Sequence, residues 1–417
     1  MLYLQKKLVV KYYKRESYLK KIRGFYHDGE LIKVMTGVRR CGKSCLMRTI
    51  ADEILLSGVA EENIIYIELD KRGYKNIKTA EQLENLIDSQ TTGSGMKYVF
   101  IDEVQNVKGF ETVINAFREE GDYSIFITGS NSYLLSGELV TKLTGRYLEF
   151  EVFTLTFDEY IGMKTFLKKP LRSTLEEFDA YLAEGGFPKA LQYDSPDDKL
   201  TYVSGVTSEI FQKDIRQRIK IRRVSVFEKV QRFIINNFGA TTSLSSLLSA
   251  LEKDGTKIRR ETLNRYIKIL VDAKILYECD RFDLKSRKSI SGEKKYYLSD
   301  IGFYYATNTD NRINYGPVLE NVTYVYARSK GYAASVGRIG KLECDFILRK
   351  GNADYRYLQV CMTMQQSRVT EDREYRPLES IADNYPKYVL TRSDLLQQRN
   401  GIIHKNLPEL MREGEMF

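Results

Sequence analysis

The sequence predicts an α/β protein, a doubly wound parallel sheet followed by two smaller modules, and three observations carry that prediction. An apolar run at Leu31, Ile32, Val34 and Met35 meets a glycine-bounded loop, and Leu46, Ile50 and Ile54 then recur at a spacing of four. Further buried runs at 63–68 (NIIYIE), 99–101 (VFI) and 123–128 (YSIFIT) alternate with helical patterns over the first 150 residues. After the break at Gly185-Gly186-Phe187-Pro188 the alternation stops, and helices and a hairpin replace it.

The loop at 37–44, GVRRCGKS, matches the phosphate-binding pattern G-x-x-x-x-G-K-[ST] in full, with a strand before it and a helix after it. Two glycines let the main chain turn its N–H groups toward phosphate oxygens, and the helix N-terminus adds positive potential. A P-loop NTPase is the expected fold, with ATP and Mg²⁺ as ligands. Gly37, Arg40, Cys41, Gly42, Lys43, Ser44 and Cys45 would line the phosphates, Lys43 reaching the β- and γ-groups. Ser44 and Asp102 would hold Mg²⁺, since the strand at 99–101 delivers Asp102 and Glu103 at its C-terminal end. Glu103 would polarise the attacking water as general base; the alternative is a strand running into an acidic turn. Asn131, beyond the 123–128 strand, is placed to meet the γ-phosphate or the water. Arg146 reads as an arginine finger, in cis or toward a neighbouring subunit, or as a surface ion-pair residue.

At 417 residues the chain exceeds one ordinary core, and the expected division is 1–185, 186–305 and 306–417. No run of about 18 apolar residues is present, and Lys6 and Lys7 interrupt the place a signal peptide would need, so a cytoplasmic protein without a membrane span is expected. Five scattered cysteines and two histidines lack metal-site spacing. Net charge is +9, and residues 206–300 hold 21 Lys+Arg against 12 Asp+Glu, leaving 44 of each elsewhere. The whole excess therefore lies in the middle segment.

That segment reads as a winged helix, three helices and a hairpin, whose third helix turns Leu263, Tyr266, Ile267 and Leu270 inward. Its other face shows Arg259, Arg260, Asn264, Arg265 and Lys268, with Arg287 and Lys288 at the tip of the wing. Double-stranded DNA is the expected partner of this face; a basic solvated face, or a lid or protein interface, is the alternative. Beyond it, Glu320 on a helix, Asp345 on a strand and the pair at 342–348 and 355–362 suggest a restriction-endonuclease-like domain. Gln359 and Cys361 stand where such a domain carries the Glu and Lys of Glu-x-Lys, so the expected domain does not cut.

Taken together, GVRRCGKS at 37–44, FIDEVQN at 100–106, TGSNSYLLS at 128–136, TGRYLEFE at 144–151 and GGFP at 185–188 resemble a family of prokaryotic AAA-type predicted ATPases. LEN at 319–321 and ECDFIL at 343–348 extend the likeness toward the C-terminus. The resemblance implies MgATP binding at Lys43, Ser44, Asp102 and Glu103, a winged-helix middle and an endonuclease-like end. An ATP-hydrolysing protein coupling nucleotide state to DNA or a partner is the expectation, alone or as a homo-oligomer. A nucleotide-controlled interaction switch and an ATP-gated DNA nuclease are the competing readings.

Overall fold

The structure is a computed structural model and describes residues 12–129, 145–216, 221–286, 288–308, 314–351, 354–364 and 368–417. Two compact units divide it, Met1–Val152 and Phe153–Phe417.

The first unit runs α1 (Glu16–Ile22), β1 (Ile32–Thr36), α2 (Lys43–Leu56), β2 (Ile64–Glu68), α3 (Ala80–Gln90), β3 (Lys97–Asp102), α4 (Phe110–Glu119), β4 (Tyr123–Thr128) and β5 (Tyr147–Glu151). Every strand pairing is parallel and the order is β2-β3-β4-β1-β5, the P-loop NTPase sheet that the alternation predicts. Period-two alternation divides the side chains between the two faces. Ile32, Val34, Val99, Ile101, Ile125 and Ile127 pack on Leu83 and Ile87 of α3 and on Phe110, Val113 and Phe117 of α4. Elsewhere in the sheet, Phe100 stacks on Phe126 at 4.7 Å. A capping box between Thr79 and Gln82 opens α3 as its sequence predicts.

Lys33 lies in the middle of this core and is fully buried. Its ammonium reaches the Asp28 carbonyl at 2.6 Å and Ser124 Oγ at 2.8 Å, and sits 4.7 Å from the Phe126 ring. Burial pulls its pKa down to about 7, against the opposing charge of Asp28. Between pH 7 and the ordinary lysine value of about 10.5, the unfolded chain holds a proton that the folded chain has released, so stability from this group rises with pH across that window. Lys33→Met is expected to flatten that rise, read as a difference in Tm between the two proteins that changes from pH 7 to pH 10; parallel curves would refute it.

In the second unit, α5 (Phe157–Phe166), α6 (Thr174–Glu184) and α7 (Pro196–Glu209) lead into a π-helical turn at Ile210–Arg216. Then come α8 (Val224–Asn236), β6 (Thr242–Ser243), α9 (Leu244–Lys253), α10 (Arg260–Asp272) and the hairpin β7 (Leu276–Asp283) and β8 (Lys288–Leu298). The helix α8 starts one residue ahead of Ser225, and its N-cap, Arg223, makes no side-chain cap bond. The rest of the chain folds as α11 (Gly302–Thr307), α12 (Tyr315–Ser329), β9 (Ala333–Ile339), β10 (Leu342–Lys350), β11 (Asp354–Cys361), α13 (Arg368–Glu379), β12 (Lys387–Thr391), β13 (Ile403–Asn406) and α14 (Leu407–Arg412).

Neither domain boundary expected from the sequence coincides with the division of the structure. At 305/306 a single eight-stranded sheet, β13-β12-β11-β10-β9-β7-β8-β6, runs across. The hairpin would otherwise end in an open edge of unpaired N–H and C=O groups, and β9 closes it by pairing parallel to β7 at Arg281–Val336 and Phe282–Gly337. At 185 the chain is bound to the same unit on both sides, because the buried Asp300 carboxylate accepts the Gly186 and Gly302 N–H groups, each at 2.8 Å. Burial raises Asp300 to about 6. The Gly186 carbonyl also accepts the Leu155 N–H at 2.8 Å, and a Cβ on Gly186 would lie 2.3 Å from the Leu155 oxygen. Gly186→Ala is therefore expected to cost about 2–3 kcal/mol in a denaturant titration, the overpacking range, because the obstacle is main chain rather than a yielding side chain.

Candidate functional site

The phosphate loop is built by backbone conformation before any side chain acts. Between the end of β1 and the start of α2, Gly37, Arg40 and Gly42 take φ of 136°, 67° and 109°. Gly37 has no alternative, since a Cβ there would lie 2.1 Å from the Val152 carbonyl oxygen. Arg40 is a non-glycine residue held in the left-handed region, a local strain of the kind that gathers at binding loops. The buried Lys43 ammonium bridges the Gly37 and Val38 carbonyls at 2.8 and 3.2 Å. Cys41 is buried, Cys45 is exposed and Ser44 is half-buried, its carbonyl accepting the Tyr66 hydroxyl at 3.3 Å. Arg15, which the sequence reading passed over, is buried and donates to the Cys41 carbonyl at 3.1 Å.

Parallel strands all end on the same edge, so Asp102 at the end of β3 faces the same side as the loop after β1. β4 lies between them, which puts the two strand ends about 10 Å apart at ordinary strand spacing. Thr128, the last residue of β4, fills that interval: its hydroxyl donates to Asp102 Oδ1 and accepts the Glu103 N–H at 3.2 Å. Sequence reasoning placed the polar contact of this strand further on, at Asn131, which lies outside the described residues. The signal available for Thr128 was a polar residue closing an otherwise apolar strand.

Glu103 adopts a left-handed conformation, φ 59° and ψ 47°, and the Gln105 amide donates to its Oε2. Burial pushes its carboxyl above the usual range, while the charges of Lys43 and Arg39 pull it back. Glu103 and Lys43 thus share one electrostatic environment, as a base beside a phosphate-binding lysine would. The oxygen donors that Ser44 and Asp102 present are hard, and their chemistry fits Mg²⁺.

Arg146 requires a correction. It precedes Tyr147, which pairs with Ile32 at the entry of β1, so it sits one strand length, roughly 16 Å, from the phosphate loop. There it donates to Asn115 Oδ1 at 3.1 Å and pairs with Glu119 at 3.4 Å. Strand direction rules out a finger in cis.

On α10, Leu263, Tyr266, Ile267 and Leu270 are buried, while Arg259 at the N-cap, Arg260, Asn264, Arg265 and Lys268 are all exposed. Lys288 is exposed as well, but it opens β8 opposite Asp283 rather than lying in the turn, and Arg287 is outside the described residues.

A five-stranded parallel sheet with a phosphate loop after β1, an acid pair after β3 and β4 between them defines a P-loop ATPase fold of the AAA type. The sequence agrees: residues 29–161 match an AAA domain, and residues 175–312 match a domain of unknown function. An uncharacterized protein of Haemophilus influenzae is 32% identical over 378 residues, covering 90% of this chain and 92% of that one. The chain belongs to the same family as that protein. An uncharacterized protein of Methanocaldococcus jannaschii is 28% identical, covering 87% of this chain and 82% of its own. Among solved structures, the Walker-type ATPase of Pyrococcus abyssi shares the fold at a TM-score of 0.52 and 17% identity, over 71% of this chain and 96% of that one. None of the described helices is long and apolar enough to cross a membrane.

Proposed function

We propose that the N-terminal unit binds ATP with Mg²⁺ and hydrolyses it, and that the nucleotide state governs how the second unit engages duplex DNA. The observation that carries this reading is the Thr128 hydroxyl tying Asp102 to Glu103 on the edge where the phosphate loop opens. Lys43 and the loop N–H groups would hold the triphosphate, and Ser44 and Asp102 would hold the metal, which when bound neutralises the phosphate oxygens. Glu103, raised by burial and fixed through Gln105, would orient the water and take its proton.

The helices α8, α9 and α10 with the β7–β8 hairpin have the order of a winged helix, and the exposed basic face of α10 has the charge for a phosphate backbone. The expected result is MgATP turnover that duplex DNA stimulates at low salt and fails to stimulate at high salt. Stimulation indifferent to salt would instead point to a protein partner. A nucleotide-controlled interaction switch is the second reading, favoured by Arg146 lying at the far end of β5 from the loop; it expects tight ATP binding with turnover only when a neighbouring copy or partner supplies a finger.

The order α12-β9-β10-β11-α13-β12 supports an endonuclease-like C-terminal part. Gln359 stands where its Glu would be and bonds Glu374 at 3.1 Å, and Cys361 is buried where its Lys would be. The proposed role of this part is therefore not cutting.

A further inference from the structure

Three carboxylates converge where the hairpin meets the C-terminal strands: Glu320 from α12, and Glu343 and Asp345 from β10. Asp345 is buried, 6% exposed, beside the fully buried Tyr297, while Glu320 and Glu343 keep 17% and 32% of their side chains exposed. Lys295, from β8, reaches into the group with 5% of its side chain exposed. Its ammonium lies 2.9 Å from Glu320 Oε2 and 3.0 Å from Glu343 Oε1. Three further donors hold the same acids. The Tyr297 hydroxyl donates to Glu320 Oε2 at 3.0 Å, Arg281 Nη2 to Glu343 Oε2 at 2.9 Å, and the Val360 N–H to Asp345 Oδ2 at 2.8 Å. Among the described residues, no group of three or more acidic, His or Cys side chains is disposed to hold a metal ion.

Carboxylates gathered around one point repel one another unless a cation lies between them. Here the protein carries its own. We propose that the Lys295 ammonium is a built-in cation that occupies the position a divalent ion would take between Glu320 and Glu343, and that it fastens the β7–β8 hairpin to α12 and β10. Burial works to lower the Lys295 pKa, yet Glu320, Asp345 and Glu343 outweigh it and hold the group above the ordinary lysine range. Burial likewise raises Glu320 and Asp345. The ammonium therefore stays charged, and the pair spans two segments that the sequence reading assigned to separate domains.

The test is Mn²⁺ binding by the full chain without nucleotide, counted by electron paramagnetic resonance. Lys295→Ala removes the ammonium and leaves the acids, so it is expected to bind one Mn²⁺ per chain more than the wild type, and Lys295→Ala with Glu320→Gln is expected to lose that ion. A folded Lys295→Ala that gains no ion overturns the proposal, as does a wild-type ion that Glu320→Gln removes. Plasmid cleavage by the wild type with Mn²⁺ that Lys295→Ala abolishes would make Lys295 a working nuclease residue and overturn it too. Thermal melts cover a poorly folding variant: Lys295→Met and Glu320→Gln together are expected to lose less than the sum of the two single losses, and simple additivity contradicts the pairing. None of these readouts involves ATP, so they stand or fall separately from the hydrolysis reading.

Discussion

Glu103→Gln is expected to bind MgATP as the wild type does and to turn it over roughly 10²–10⁴-fold more slowly, the usual contribution of a positioned general base. The amide keeps the size and the hydrogen-bonding reach of the carboxylate but cannot accept a proton, so only the chemical step should suffer. The geometry favours this separation. The Glu103 main chain is anchored independently through its N–H to Thr128 and the turn that follows it. Burial raises the carboxyl while Lys43 and Arg39 restrain the rise, which makes it a stronger base than an exposed glutamate. Burst or single-turnover experiments would show bound ATP persisting on the variant. Turnover close to the wild-type rate would move the base elsewhere.

Lys43→Ala is expected to fail one step earlier, at binding. A charge-assisted contact to phosphate is worth about 1.5–3 kcal/mol, or roughly 10- to 150-fold in affinity. Without nucleotide the ammonium satisfies itself on the Gly37 and Val38 carbonyls, and those bonds must be exchanged for phosphate when ATP enters. Alanine leaves two loop carbonyls without that partner but does not touch the sheet, since Gly37 and Gly42 keep the turn. The variant should therefore melt near the wild type while losing the stabilisation that ATP confers.

The phosphate loop was legible because its chemistry is local: a fixed spacing is demanded by one turn of main chain, and the apolar runs on either side announce strand and helix. The acid pair was legible for the same reason. Thr128 was not, because its importance depends on β4 lying between β1 and β3, a fact of strand order. The choice between a finger and a surface ion-pair residue stayed open for Arg146 because a sequence does not say at which end of a parallel sheet a residue falls. Lys33 hid inside an apolar run, its ammonium satisfied by Ser124, 91 residues away. The joining of β7 to β9 and the meeting of Lys295 with Glu320 likewise rest on long-range pairing that no window of sequence displays. By contrast, Leu263, Tyr266, Ile267 and Leu270 of α10 are buried as helical periodicity predicts, with Ile269 added to them.

The most direct measurement is steady-state MgATP hydrolysis by the wild type, Lys43→Ala and Glu103→Gln side by side, with binding of a labelled ATP followed in the same samples. The expected pattern is turnover and binding in the wild type, neither in Lys43→Ala, and binding without turnover in Glu103→Gln. Equal hydrolysis by all three proteins would contradict the assignment of the site.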